Sequence, residues 1–136
     1  MPNSTRSVRI LLTASEAYPA LERAFLGATT EIWASFMVFD LSTRLRSPEA
    51  LAIGRTWFDL MVYTLNRGVA VNVTLADVDP IARAAMHREA TRQLRRFSAA
   101  AAVANPGAQL KVSLLRHPAE TGALVRLAIW PYIIKR

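Results

Sequence analysis

Cysteine is absent from this 136-residue chain, which excludes a disulfide framework, a thiolate metal site and a cysteine nucleophile. Glycine is scarce. The five glycines, Gly27, Gly54, Gly68, Gly107 and Gly122, are too far apart for G-x-G, and no P-loop is present, so the two common phosphate-cradling motifs drop out. A Ser-His-Asp nucleophile elbow needs G-x-S-x-G, which is also missing. The two histidines, His87 and His117, lack metal-ligand spacing and are read as a helix-surface and a loop residue. No apolar run approaches the roughly 20 residues that span a bilayer. Met1 to Arg9 is polar and holds no signal-peptide core, so the expectation is a cytoplasmic or peripheral membrane protein. No metal or cofactor is expected.

Acidic residues are unevenly placed. Residues 1–79 carry seven basic and eight acidic side chains, whereas residues 80–136 carry ten basic and two acidic ones, Glu89 and Glu120. The net charge of +7 therefore lies in the second half and points to an anionic partner there: lipid head groups, nucleic acid or an acidic protein.

The length and the 52% apolar content describe one folded domain over residues 1–136, with no linker. Its organising stretch is Ser47 to Asp77. Ser47-Pro48 opens a helix with a cap and a first-position proline, and Leu51, Gly54, Phe58, Met61 and Leu65 share one face. Asn66-Arg67-Gly68 ends it. Val69, Val71, Val73 and Leu75 then alternate with smaller residues in a strand that closes at Asp77.

The rest of the chain repeats this order. Val8, Ile10 and Leu12 suit a strand near a sheet edge, followed by a helix capped by Ser15, with Tyr18, Leu21, Phe25 and Ala28 inward and Glu22 and Arg23 outward. Ile32 to Phe39 reads as a central strand covered on both faces, closing at Asp40. Asp79-Pro80 starts a helix to Val103, Asn105-Pro106-Gly107 stops it, and Leu110, Val112 and Leu114 form a fourth strand. The fold class is therefore α/β: a mainly parallel sheet of about four strands with helices on both faces.

The carboxyl ends of parallel strands usually face the ligand, which makes Asp40 and Asp77 cleft-edge candidates, joined by Arg116 and His117. A plainer role is capping and turn formation, with Asp79 capping the Pro80 helix. Arg88, Arg92 and Arg95 fall at i, i+4 and i+7, with Arg96 beside them, as an anion-binding face or a solvated one. Ala123 to Ile134 is strongly apolar apart from Arg126 and Pro131, so it calls for burial in protein, a membrane interface or another chain.

Several of these segments together resemble the phospholipase D superfamily, specifically the N-terminal part of one catalytic half. They are Ser15-Glu16-Ala17-Tyr18-Pro19 with Leu21, Ala24 and Ala28; Glu31-Ile32 opening a strand; Gly54-Arg55-Thr56-Trp57-Phe58-Asp59-Leu60-Met61; and Arg67-Gly68-Val69 before the strand ending at Asp77. The resemblance covers about residues 8–115 and implies a phospholipase D-like fold. It also implies phosphodiester chemistry, with phospholipid as the foremost substrate and nucleic acid the other. The family's H-x-K-x4-D motif is absent. Two places after His87 and His117 stand Glu89 and Ala119, and two places before Lys111 and Lys135 stand Gln109 and Ile133. No residue inherits a catalytic role, and the chain reads as a segment completed by the remainder of the domain or by a second chain. The alternative is a non-enzymatic α/β module that binds anionic membrane or nucleic acid through its basic half.

Overall fold

The computed structural model describes residues 10–77 and 84–116. In chain order they form α1 (Ala14–Gly27), β1 (Glu31–Phe36), α2 (Pro48–Leu51), α3 (Trp57–Asn66), β2 (Ala70–Asp77), α4 (Ala84–Val103) and β3 (Leu110–Arg116). The three strands make one all-parallel sheet in the order β1-β2-β3. Ile32 pairs with Val71, and Val71 in turn with Leu110.

Strand β2 is central, and Val71, Val73 and Leu75 point into the core. They meet Trp57, Leu60, Met61 and Leu65 of α3, Phe97 and Ala100 of α4, and Phe25 of α1. Phe39, just past β1, sits at the middle of this core. It stacks on Phe36 at 4.5 Å and meets the Trp57 ring edge-on at 5.1 Å. Trp57 also takes Phe25 edge-on at 5.2 Å. Such edge and offset contacts suit the ring quadrupoles and add to the area that the rings bury.

Several sequence expectations are corrected. The described residues hold three strands, not four: Ile10, Leu11 and Leu12 are not in a strand, and Val8 lies outside the described residues. The run from Ile32 to Phe39 is not a doubly covered central strand. Within the described residues β1 is an edge strand, its side chains alternate between exposed and half-buried, and Phe39 has left the sheet to fill the core. Among the described residues, helices are not found on both faces either. The described helices share their core with one face, while Trp33 of β1 and Leu115 of β3 stand 73% and 65% exposed on the other. Two crossovers running the same way along the sheet, β1 to β2 to β3, place their helices on one side.

The organising helix is two helices. Ser47 caps α2, its hydroxyl accepting from Ala50 N, but α2 ends at Leu51 and α3 starts afresh after Thr56. The restart is built by Asp59, whose Oδ2 accepts from Arg55 N at 2.8 Å, Thr56 N at 2.9 Å and the Thr56 hydroxyl at 3.0 Å. This is the reaching-back half of a capping box. At the start of α1, Glu16 Oε2 likewise accepts from Leu12 N and Thr13 N, so the cap residue is Thr13 and not Ser15.

Glu22 does not look outward. It is fully buried, and its carboxylate accepts from Arg46 N at 2.9 Å and Ser47 N at 2.6 Å, which ties α1 to the start of α2. The outward partner is Arg23, paired with Glu49 at the surface. Arg67 closes the other end of α1: its two terminal nitrogens donate to the carbonyls of Leu26 and Ala28, each at 2.6 Å. The hinge into β2 is Gly68 at φ +79°, a left-handed turn that glycine adopts without steric cost.

Candidate functional site at the carboxyl edge of the sheet

The carboxyl ends of β1 and β2 and the α4 stretch from His87 to Arg96 converge on one polar seam. The chain leaving β1 turns at Asp40, whose Oδ1 accepts from Ser42 N at 2.8 Å and the Ser42 hydroxyl at 2.7 Å. Arg96, reaching across from α4, donates to the same carboxylate oxygen and to Ser42 Oγ at 2.9 Å. Burial pushes the Asp40 carboxyl up, but the bonds from Ser42, the Gln93 amide and the Arg96 charge outweigh it and hold the group below its ordinary value.

A helical turn earlier, Gln93 is buried and used at both ends. Its Oε1 accepts from Leu41 N at 3.1 Å, and its Nε2 donates to Glu89 Oε1 at 2.6 Å. Gln93 therefore fixes the loop after β1 against α4, and that is how Phe39 and Leu41 come to be held in the core.

At the top of β2, Asp77 is nearly buried and lies 2.8 Å from Nδ1 of His87. The contact joins the start of α4 to the end of β2. Between these groups lies an apolar cleft of about 250 Å³. Met37, Phe39, Leu75, Ala76, Met86 and Ala90 form its walls, and Glu89 and Gln93 supply its polar atoms.

Asp40 and Asp77 thus both stand at the carboxyl edge, but each is engaged: Asp40 with Arg96 and Ser42, Asp77 with His87. The four arginines are not brought together. Arg96 turns inward to Asp40, and Arg92 pairs with Glu89 at 2.9 Å. Arg88 and Arg95 are exposed and have no ion-pair partner among the described residues. His117, Asp79 and the 123–134 segment lie outside the described residues, as does the expected start of the third helix at Pro80.

His87, Gln93 and Ser42 were missed as members of the seam. The signals were weak. A histidine ten residues beyond a strand end faces that strand only if the crossover is short, and a glutamine in a basic helix looks like surface.

Within the described residues no three His, Cys, Asp or Glu side chains lie close enough to hold a metal ion. No described helix is long and apolar enough to cross a membrane. The cleft can take a small apolar group beside a hydrogen-bonding edge. Among the described residues, the adjoining cation Arg96 is engaged by Asp40 and Ser42.

No protein-family model matches the chain, and no curated protein or solved structure matches it either.

Proposed function

We propose that the chain is the N-terminal segment of a phospholipase D-like phosphodiesterase or phosphatidyltransferase, acting on phosphodiesters and foremost on phospholipid. It supplies the scaffold of a catalytic half and no catalytic residue. The observation that carries this reading is the path from Gly54 to Asp77. Gly54, Thr56 and Asp59 build the start of α3, Arg67 and Gly68 build its end, and β2 delivers Asp77 to the ligand-facing edge. These are among the residues on which the family resemblance rests, and each has a structural task at that spacing.

The test has two arms. Incubated alone with phosphatidylcholine or bis-p-nitrophenyl phosphate, the chain should give background turnover, because a histidine nucleophile paired with a lysine phosphate clamp is absent from its sequence. Turnover that co-purifies with the protein and disappears in a His87→Ala variant would defeat the reading. The reading frame beyond Arg136 should encode H-x-K-x4-D, and a continuation without it would defeat the reading equally.

A second reading is favoured by Arg88 and Arg95, exposed on the outer side of α4. In it the domain is a non-enzymatic module that binds anionic membrane or nucleic acid through this face.

A further inference from the structure

In a parallel sheet covered on both faces the strands read as continuous apolar runs. The face of this sheet turned away from the described helices does not. The register sets Trp33, Asn72 and Lys111 in one row across it. One row nearer the amino ends of the strands, Glu31 is level with Ala70. Ala70 puts only a methyl group between the longer side chains of Glu31 and Gln109. The result is a polar depression of about 430 Å³, to which Asn72 and Lys111 also contribute.

Its polar groups are uncommitted. Among the described residues, the side chains of Glu31, Asn72, Gln109 and Lys111 make no hydrogen bond or ion pair. A strand spacing of about 4.8 Å and a rise of about 3.3 Å per residue set the Cα atoms of Glu31 and Lys111 about 12 Å apart. The carboxylate and the ammonium therefore stand at opposite corners of the depression. Next to Asn72 in the register, Trp33 is 73% exposed.

We propose that this surface binds a neutral sugar, a pyranose ring of gluco configuration that stacks on Trp33 and turns its hydroxyls to the depression. The equatorial hydroxyls of such a ring leave axial C–H groups on its faces, and their slight positive charge suits the negative face of an indole. A hydroxyl both donates and accepts. It can therefore serve the Glu31 carboxylate, which accepts, the Lys111 ammonium, which donates, and the two amides, which do both. Charge separates a sugar from a nucleotide here. One carboxylate and one ammonium sum to zero, so the site exerts no net pull on a phosphate, and phosphate oxygens have no proton to give Glu31. The inference is independent of the phosphodiesterase reading, since the depression lies at the amino ends of the strands and uses no residue of the carboxyl-edge seam.

The probes are cellotetraose and maltotetraose, titrated into the nitrogen-15-labelled full chain. At least one of them should shift the Trp33 indole N–H and the side-chain amides of Asn72 and Gln109, reaching saturation within about 10 mM. Trp33→Ala and Glu31→Ala should each weaken that binding about tenfold. Both side chains are exposed, so the urea midpoints should stay near that of the parent chain. Arg88→Ala, on the outer side of α4, should leave the affinity unchanged. The absence of a saturable shift with either sugar would overturn the proposal, as would an affinity that Trp33→Ala leaves intact. Thymidine monophosphate or an oligothymidylate that shifts the same amides at lower concentration than both sugars would also overturn it, and would assign the face to single-stranded nucleic acid.

Discussion

At position 54 a side chain has no room. A Cβ built on Gly54 would lie 2.2 Å from Asp59 Cβ and 2.7 Å from its Cγ, because Asp59 folds back to take the N–H groups of Arg55 and Thr56. Gly54→Ala should therefore cost about 1–3 kcal/mol, the usual range for overpacking, seen as a lower urea midpoint. Removing the carboxylate as well does not relieve the clash, since an alanine in place of Asp59 keeps the Cβ that is struck. Gly54→Ala/Asp59→Ala should thus be no more stable than Gly54→Ala. A double variant restored to wild-type stability would show that the carboxylate alone defines the contact. In the sequence, helical spacing placed Gly54 on the apolar face of one long helix. The overriding signal was Thr56 followed three residues later by Asp59, a cap pattern that starts a new helix and draws Asp59 onto the glycine.

Among the elements, α3 owes part of its stability to a charge at its start. Burial raises the Asp59 carboxyl, but the N–H groups of Arg55 and Thr56 and the Thr56 hydroxyl more than offset this and hold it below its ordinary 3.8. A carboxyl lowered on folding stabilises above its unfolded value, and that contribution is lost as the pH falls through the folded one. Asp40 behaves in the same sense. Stability should thus decline from about pH 5 downward, and Asp59→Asn should flatten the decline while costing about 1 kcal/mol at neutral pH. A variant whose acid melting curve keeps the wild-type slope would remove Asp59 from the account.

Glu22 joins two elements through backbone contacts alone. Its carboxylate serves two backbone N–H groups of the loop before α2 from a fully buried position. Glu22→Gln sets an amide donor against those donors, so a loss of about 2–4 kcal/mol is expected in denaturant unfolding. Charge periodicity assigns Glu22 to solvent along with Arg23, and only Arg23 obeys. A carboxylate that caps a loop distant in sequence leaves no periodic trace, so this part of the structure was not legible.

For the molecule as a whole, alternating apolar patterns revealed the parallel α/β order, and β2 and β3 lie where Val71 to Leu75 and Leu110 to Leu114 alternate. The carboxyl-edge positions of Asp40 and Asp77 followed from that order, but their partners did not, since Arg96 and His87 meet them only through the packing of α4. The same packing sorts the arginines. Arg88 and Arg95 stand exposed with Arg92 between them on the outer side of α4, while Arg96 is tied to Asp40. Polyanion affinity should therefore reside in the first three. Arginine contacts to phosphate release counterions, so three of them predict a slope of log K against log salt of about −2 to −3 on duplex DNA. The triple variant Arg88→Glu/Arg92→Glu/Arg95→Glu should abolish that dependence and keep the wild-type urea midpoint. Arg96→Glu should do the reverse, lowering stability by setting a carboxylate against Asp40 while leaving the salt slope nearly unchanged. Anisotropy titrations on a DNA duplex and sedimentation with anionic vesicles would show which polyanion is preferred. If the triple variant binds both as tightly as the parent chain, the outer side of α4 is a solvated surface and the anionic partner must be met elsewhere.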